Sequence, residues 1–100
     1  MLAPTPPDRL VDAQGRPYFL WDAGMTLVEF KERLKESDPS IRAYLIGKMM
    51  RQAKPDDALQ FVSAQEMADL WPDLEKYLGR SREFWRWLLD EWGHRGIIKR

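Results

Sequence analysis

Few residues in this chain can do acid–base, metal or nucleophilic chemistry, and their spacing limits what it does. There is one histidine, His94, and no cysteine. A zinc site needs several nitrogen or sulfur ligands, so a lone imidazole without thiolates makes none. His94 stands beside Arg95, and no serine or cysteine lies at a spacing that would make it the base of a nucleophilic site. Two carboxylate pairs remain, Asp56-Asp57 and Asp90-Glu91. Neighbours on a helix point about 100° apart, so neither pair converges on a cation. Both pairs read as helix-start capping and solvated charge. Glycine loops that cradle phosphate are missing. The expectation is no enzyme: no catalytic residue, no metal and no cofactor.

The arginines carry more information. Arg42 lies in line with an apolar stripe near a helix start, where a cation is electrostatically unwelcome, so it calls for a partner in Asp38 or Asp22. The segment "YLGRSREFWRWLLDEW" at 77–92 resembles a helix-turn-helix, with Arg80, Arg82 and Arg86 as base or phosphate contacts. Glu75 stands four residues before Gly79, where that motif takes a small residue, and Trp87 projects from a helix that would need a polar outer face. DNA binding as a transcriptional regulator is therefore the alternative reading, not the first.

The first reading starts from "GRPYFLWD" at 15–22. An extended Pro17–Trp21 segment would alternate its side chains, Tyr18 and Leu20 one way, Phe19 and Trp21 the other. One pair can seal the core, and the other is left without a cover. Tyr18, Phe19, Leu20 and Trp21, with Trp87 as an extension, are the candidate protein-binding residues, because aromatic clusters dominate interface hot spots.

The elements that must position these residues are helical. Thr26 and Glu29 spell a capping box, with Met25 and Phe30 as its staple, which starts a helix running to about Glu36. Asp38 caps a second helix with Pro39 in its first turn. Its residues Ile41, Leu45, Ile46, Met49 and Met50 cover half a circumference, making it the central helix, and Gly47 within it suggests a close crossing. A short helix begins near Pro55. Ser63 and Glu66 form a second capping box, with Val62 and Met67 as the staple, and Pro72 kinks the chain after Trp71. Ser81 caps the last helix, which Gly93 closes. On it Phe84, Trp85, Leu88, Leu89 and Trp92 form a core stripe, and Trp87 lies about 60° outside. The fold class is all-α: a compact bundle of about five helices over 17–93, an extended arm at 1–16 that is flexible or tethered, and a tail at 94–100.

Bulk composition agrees. The 100 residues are 44% hydrophobic, with five tryptophans, enough for one core. Sixteen basic and sixteen acidic residues cancel, seven against seven in the first half and nine against nine in the second. That balance disfavours a polybasic nucleic-acid or membrane-binding face. No run approaches the roughly 18 apolar residues of a membrane span, and "MLAPTPPD" has no basic and apolar leader pattern, so the expected location is the cytoplasm.

"PYFLWD" at 17–22, "DPSIRAYLIGKMMRQAKPDD" at 38–57, "FVSAQEMADLWPDL" at 61–74 and the Trp-rich closing helix together resemble small bacterial proteins of unknown mechanism encoded beside nucleotidyltransferases of the abortive-infection toxin type. The likeness spans residues 16–92 and carries no catalytic or binding signature. It implies an antitoxin-like companion that binds another protein, a nucleotidyltransferase, and homo-oligomerisation through the same aromatic patch is a further expectation.

Overall fold

Helix α3, Pro39–Gln52, organises the molecule. Asp38 accepts the Ser40 N–H at 2.9 Å, and Pro39 occupies the first turn, where no amide proton is missed. One face of α3 buries Ala43, Leu45, Ile46, Met49 and Met50. A computed structural model describes residues 3–99 of the chain. Among them are seven α-helices and three 3-10 turns and no strand, so the fold is all-α.

The other elements pack around α3. Helix α1 is Pro7–Leu10, α2 Leu27–Arg33, α4 Pro55–Phe61, α5 Ala64–Asp69, α6 Trp71–Leu74 and α7 Arg82–His94. The 3-10 turns are Tyr18–Leu20, Glu75–Tyr77 and Gly79–Ser81, and α3 touches all three as well as α2, α4 and α6. Gly47 is the crossing point. A Cβ there would stand 2.8 Å from the Tyr77 Cβ and 3.1 Å from the Leu74 carbonyl oxygen.

Local signals place most helix starts. Thr26 and Glu29 form the reciprocal capping box, but α2 ends at Arg33, short of Glu36. Ser63 accepts the Glu66 N–H at 3.1 Å, yet the return half of that box is not made, because the Glu66 carboxylate faces Arg42 instead. Ser81 does not cap α7: its hydroxyl donates to the Leu78 carbonyl at 2.7 Å. Nor does Gly93 close that helix. Gly96, at φ +74°, gives its N–H to Gly93 O while Ile97 N–H reaches Trp92 O, the paired bonds of a Schellman ending.

Both ends of the described chain are tied down, while Met1, Leu2 and Arg100 of the expected arm and tail lie outside the described residues. Val11 and Pro17 form an isolated antiparallel bridge, and Ala3 N–H donates to Asp56 at 2.9 Å. At the other end Gln65 exchanges two bonds with the Lys99 backbone, at 2.7 and 2.8 Å, and Ile98 is buried. None of the described helices is long and apolar enough to cross a membrane.

Candidate functional site

The Tyr18–Trp21 stretch is not extended. Tyr18–Leu20 is a 3-10 turn following Pro17, and a tight turn can send two successive side chains inward where a strand cannot. Phe19 and Leu20 are both fully buried, which removes them from any docking surface. The Phe19 ring lies 5.6 Å from Phe30 and 5.9 Å from Phe61, and those two rings are 6.0 Å apart. Three elements thus meet in one aromatic triangle.

Tyr18 is committed as well, to Asp57. Its hydroxyl donates to Asp57 Oδ2 at 2.6 Å and accepts the Lys54 N–H at 2.8 Å. Thr5 adds its backbone N–H and its hydroxyl, each 2.6 Å from an Asp57 oxygen. Asp57 is therefore no solvated helix-start charge: it is 1% exposed and holds the N-terminal arm and the aromatic turn to α4. Burial pushes its carboxyl up, but the hydrogen bonds from Thr5 and Tyr18 outweigh that and hold it below 3.8. Burial, and then the bond to Asp57, push the Tyr18 hydroxyl up to about 12.

These shifts fix a pH dependence. A lowered carboxyl contributes stability that is present above its ordinary value of 3.8 and is lost as pH falls through its folded value. A raised phenol contributes stability that is complete below its ordinary 10 and is lost as pH rises through about 12. Thermal unfolding should show a plateau from about pH 5 to about pH 9 with losses on both sides. Tyr18→Phe should flatten the alkaline loss and, by removing one of the bonds that hold the Asp57 carboxyl down, soften the acid loss without abolishing it, since Asp12, Asp22 and Glu29 share that loss through their own lowered carboxyls. An alkaline limb unchanged in Tyr18→Phe would show that another group carries it.

Trp21 alone of the quartet faces solvent, at 72% exposure. It lines a groove of about 410 Å³ with Asp22, Tyr44, Lys48, Arg51, Gln52, Lys76 and Tyr77. The Tyr44 and Tyr77 rings meet edge to face at 5.2 Å, and Lys76 Nζ lies 5.4 Å from the Tyr77 ring centre. Lys48 donates to Asp22 at 2.8 Å, which holds the Asp22 carboxyl below its usual range. The Gln52 side-chain oxygen Oε1 is buried without a hydrogen-bond partner among the described residues.

Trp87 belongs to a different surface. Helix α7 packs inward through Trp85 and Leu89, both buried, and the Trp85 indole N–H donates to Met50 O at 2.8 Å. That bond sets the rotation of α7 and turns Phe84, about 100° away from Trp85, outward. Phe84 is 43% exposed and Trp87 58%, their ring centres 6.4 Å apart, so the assignment of Phe84 to the core stripe is corrected. Half-buried Leu88 continues the strip. Spacing had isolated Trp87; the inward anchor that exposes Phe84 beside it was not visible in the sequence.

Of the three arginines in the helix-turn-helix reading, Arg80 and Arg86 are exposed. Arg82 is clamped by Glu75, which accepts from Nε at 2.7 Å and from a terminal guanidinium nitrogen as well. The residue that departs from the motif thus neutralises one of its would-be contacts. Arg42 finds neither Asp38 nor Asp22. It donates to the Glu36 carbonyl at 3.0 Å, and its Nε lies 3.8 Å from Glu66. Asp38 is engaged at the α3 cap and Asp22 with Lys48.

His94 is the last residue of α7, and it is exposed. Among the described residues no three His, Cys, Asp or Glu side chains come together to hold a metal ion. The geometry offers hydrogen bonding, ring stacking and charge pairing at two separate aromatic surfaces, one at Trp21 and one at Trp87. Compared with protein-family models, with curated proteins and with solved structures, the chain matches none of them.

Proposed function

We propose that this protein is a non-enzymatic protein-binding module that docks through the outer strip of α7, Phe84, Trp87 and Leu88. The observation that carries the reading is the pair of adjacent exposed rings on a thirteen-residue helix already anchored from behind by Trp85. A helix presenting anchors at i, i+3 and i+4 suits a partner's apolar groove. Its rigidity lowers the ordering cost of binding. Glu91 and Arg95, paired at 3.7 Å, stand one turn and two turns beyond Trp87 and supply a polar rim. The partner class follows from the sequence resemblance: a nucleotidyltransferase of the abortive-infection toxin type, for which this chain would be the antitoxin-like companion.

Co-expression with such a nucleotidyltransferase, followed by titration of the purified partners, tests the reading. Trp87→Ala should weaken the complex by roughly thirtyfold, the size of a hot-spot truncation, and Phe84→Ala by a similar factor, with little dependence on salt. Equal affinity for both variants and the parent would remove α7 as the docking face. Tight duplex-DNA binding that collapses with added salt and with Arg80→Ala or Arg86→Ala would replace the proposal with the regulator reading. A mass that grows with concentration in sedimentation, and that Trp87→Ala restores to the monomer value, would make the partner a second copy of this chain.

A further inference from the structure

We infer that the groove between Trp21 and Lys76 binds a nucleotide unit, a planar base bearing a phosphate, supplied as a free nucleotide or within a single strand of nucleic acid. It lies beyond the protein-docking reading and does not depend on it, since none of the α7 strip residues lines the groove.

Charge is the first support. Along the chain acidic and basic residues cancel, yet this groove gathers Lys48, Arg51 and Lys76 against Asp22 as its one carboxylate. Asp22 pairs with Lys48, and among the described residues Arg51 and Lys76 have no ion-pair partner. The Arg51 guanidinium lies over Gly79, where a Cβ would be 3.2 Å from Nε. Two cations are thus presented with no carboxylate within ion-pair distance among the described residues.

The rings are the second support. Trp21 is mostly exposed and Tyr44 about half, at 47%, so neither is consumed by the core. Every base has a π-face, and stacking on aromatic side chains beside a basic groove is how single-stranded nucleic acid is held without a sequence code. A duplex keeps its base faces inside the stack and offers these rings nothing. An acidic peptide would answer the cations and leave Trp21 without a planar partner. The groove volume of about 410 Å³ falls within the usual range for small-ligand pockets.

The test uses the full chain, isotope-labelled for NMR, titrated separately with adenosine monophosphate and with a single strand of roughly ten nucleotides. Shifts should centre on the Trp21 indole N–H, Lys48, Gln52 and Tyr77, and affinity for the strand should fall as salt rises. Trp21→Ala and Lys76→Glu should each weaken binding by at least about fivefold. Both side chains are exposed, and an unchanged thermal melt verifies the fold; the map on the unaltered protein needs no variant. Comparable affinity for the mononucleotide and the strand names the free nucleotide as the source, and much tighter strand binding names the polymer. The inference is overturned if neither probe shifts the groove, if both variants bind as the parent does, or if polyglutamate displaces the nucleotide at equal charge concentration.

Discussion

Asp57→Ala should lower the unfolding free energy by about 3 kcal/mol, the cost of leaving several part-buried donors without their charged acceptor. The carboxylate takes three hydrogen bonds at 2.6 Å, from Thr5 N–H, the Thr5 hydroxyl and the Tyr18 hydroxyl. Bonds to charged acceptors are the strong class, and without Asp57 each of these donors is left part-buried with no acceptor. The loss also touches α4 itself, because Asp57 sits in its first turn, where a negative charge is favourable. In thermal denaturation a loss of 3 kcal/mol corresponds to a drop of about 15 °C for a domain of this size. Two readouts separate this role from simple packing. Asp57→Asn keeps the shape and one acceptor oxygen and should lose less than the alanine variant. Limited proteolysis should cut within residues 3–16 in Asp57→Ala under conditions that leave the parent whole, because the arm loses its main tether. Asp56→Ala is the control: its one arm bond, to Ala3, is exposed, and the expected loss is under about 1 kcal/mol. A change below 1 kcal/mol in Asp57→Ala would show that the arm and the aromatic turn are held by burial alone.

Gly47→Leu should cost about 3 kcal/mol or more, the upper part of the range for overpacking a filled interior. The obstacles are the Tyr77 Cβ at 2.8 Å and the Leu74 carbonyl oxygen at 3.1 Å, atoms on or next to the backbone that no rotamer change can move. Gly47→Ala is the informative companion. Helix propensity alone would stabilise it by about 1 kcal/mol. The contact at 2.8 Å opposes that gain and forces the Glu75–Tyr77 turn away from α3, so the net change should be destabilising. Urea unfolding of both variants measures the two terms. A stabilised Gly47→Ala would mean that the turn yields freely. Because Tyr77 and Lys76 sit on that turn and Tyr44 and Arg51 on α3, either variant should also widen the groove at Trp21.

Helix starts were legible because their chemistry is local. The Thr26–Glu29 box, the Asp38–Pro39 start and the Ser63 cap join residues at most three apart. The same reasoning failed where a distant group competed for the side chain. Glu66 turns to Arg42 in place of completing its box, and the Ser81 hydroxyl takes the Leu78 carbonyl in place of a free amide. It also failed at the end of α7, where Gly93 and Gly96 are equally able to stop a helix and only the Schellman bonds decide between them.

The aromatic surplus followed the same division. The alternation expected over residues 18–21 and the helical spacing of Trp87 left rings without a cover, and Trp21 and Trp87 are exposed. Which rings stay outside was decided by packing across the chain. Phe19 is enclosed by Phe30 and Phe61, and Tyr18 is drawn to a carboxylate 39 residues away. Arg42 shows the rule for charge: the spacing demanded a partner, and the fold supplied Glu66, which no local spacing could name.

Caps, apolar period and residue size act within a few positions of the chain, and they were enough to set the all-α class, the central place of the Pro39–Gln52 helix and the tight crossing at Gly47. Packing across the chain settled the rest: Asp57 is buried, the quartet splits into two enclosed side chains, one tethered tyrosine and one exposed indole, and Trp87 and Trp21 lie on different surfaces. Those outcomes depend on which distant surfaces meet, and burial and electrostatics act through space rather than along the chain.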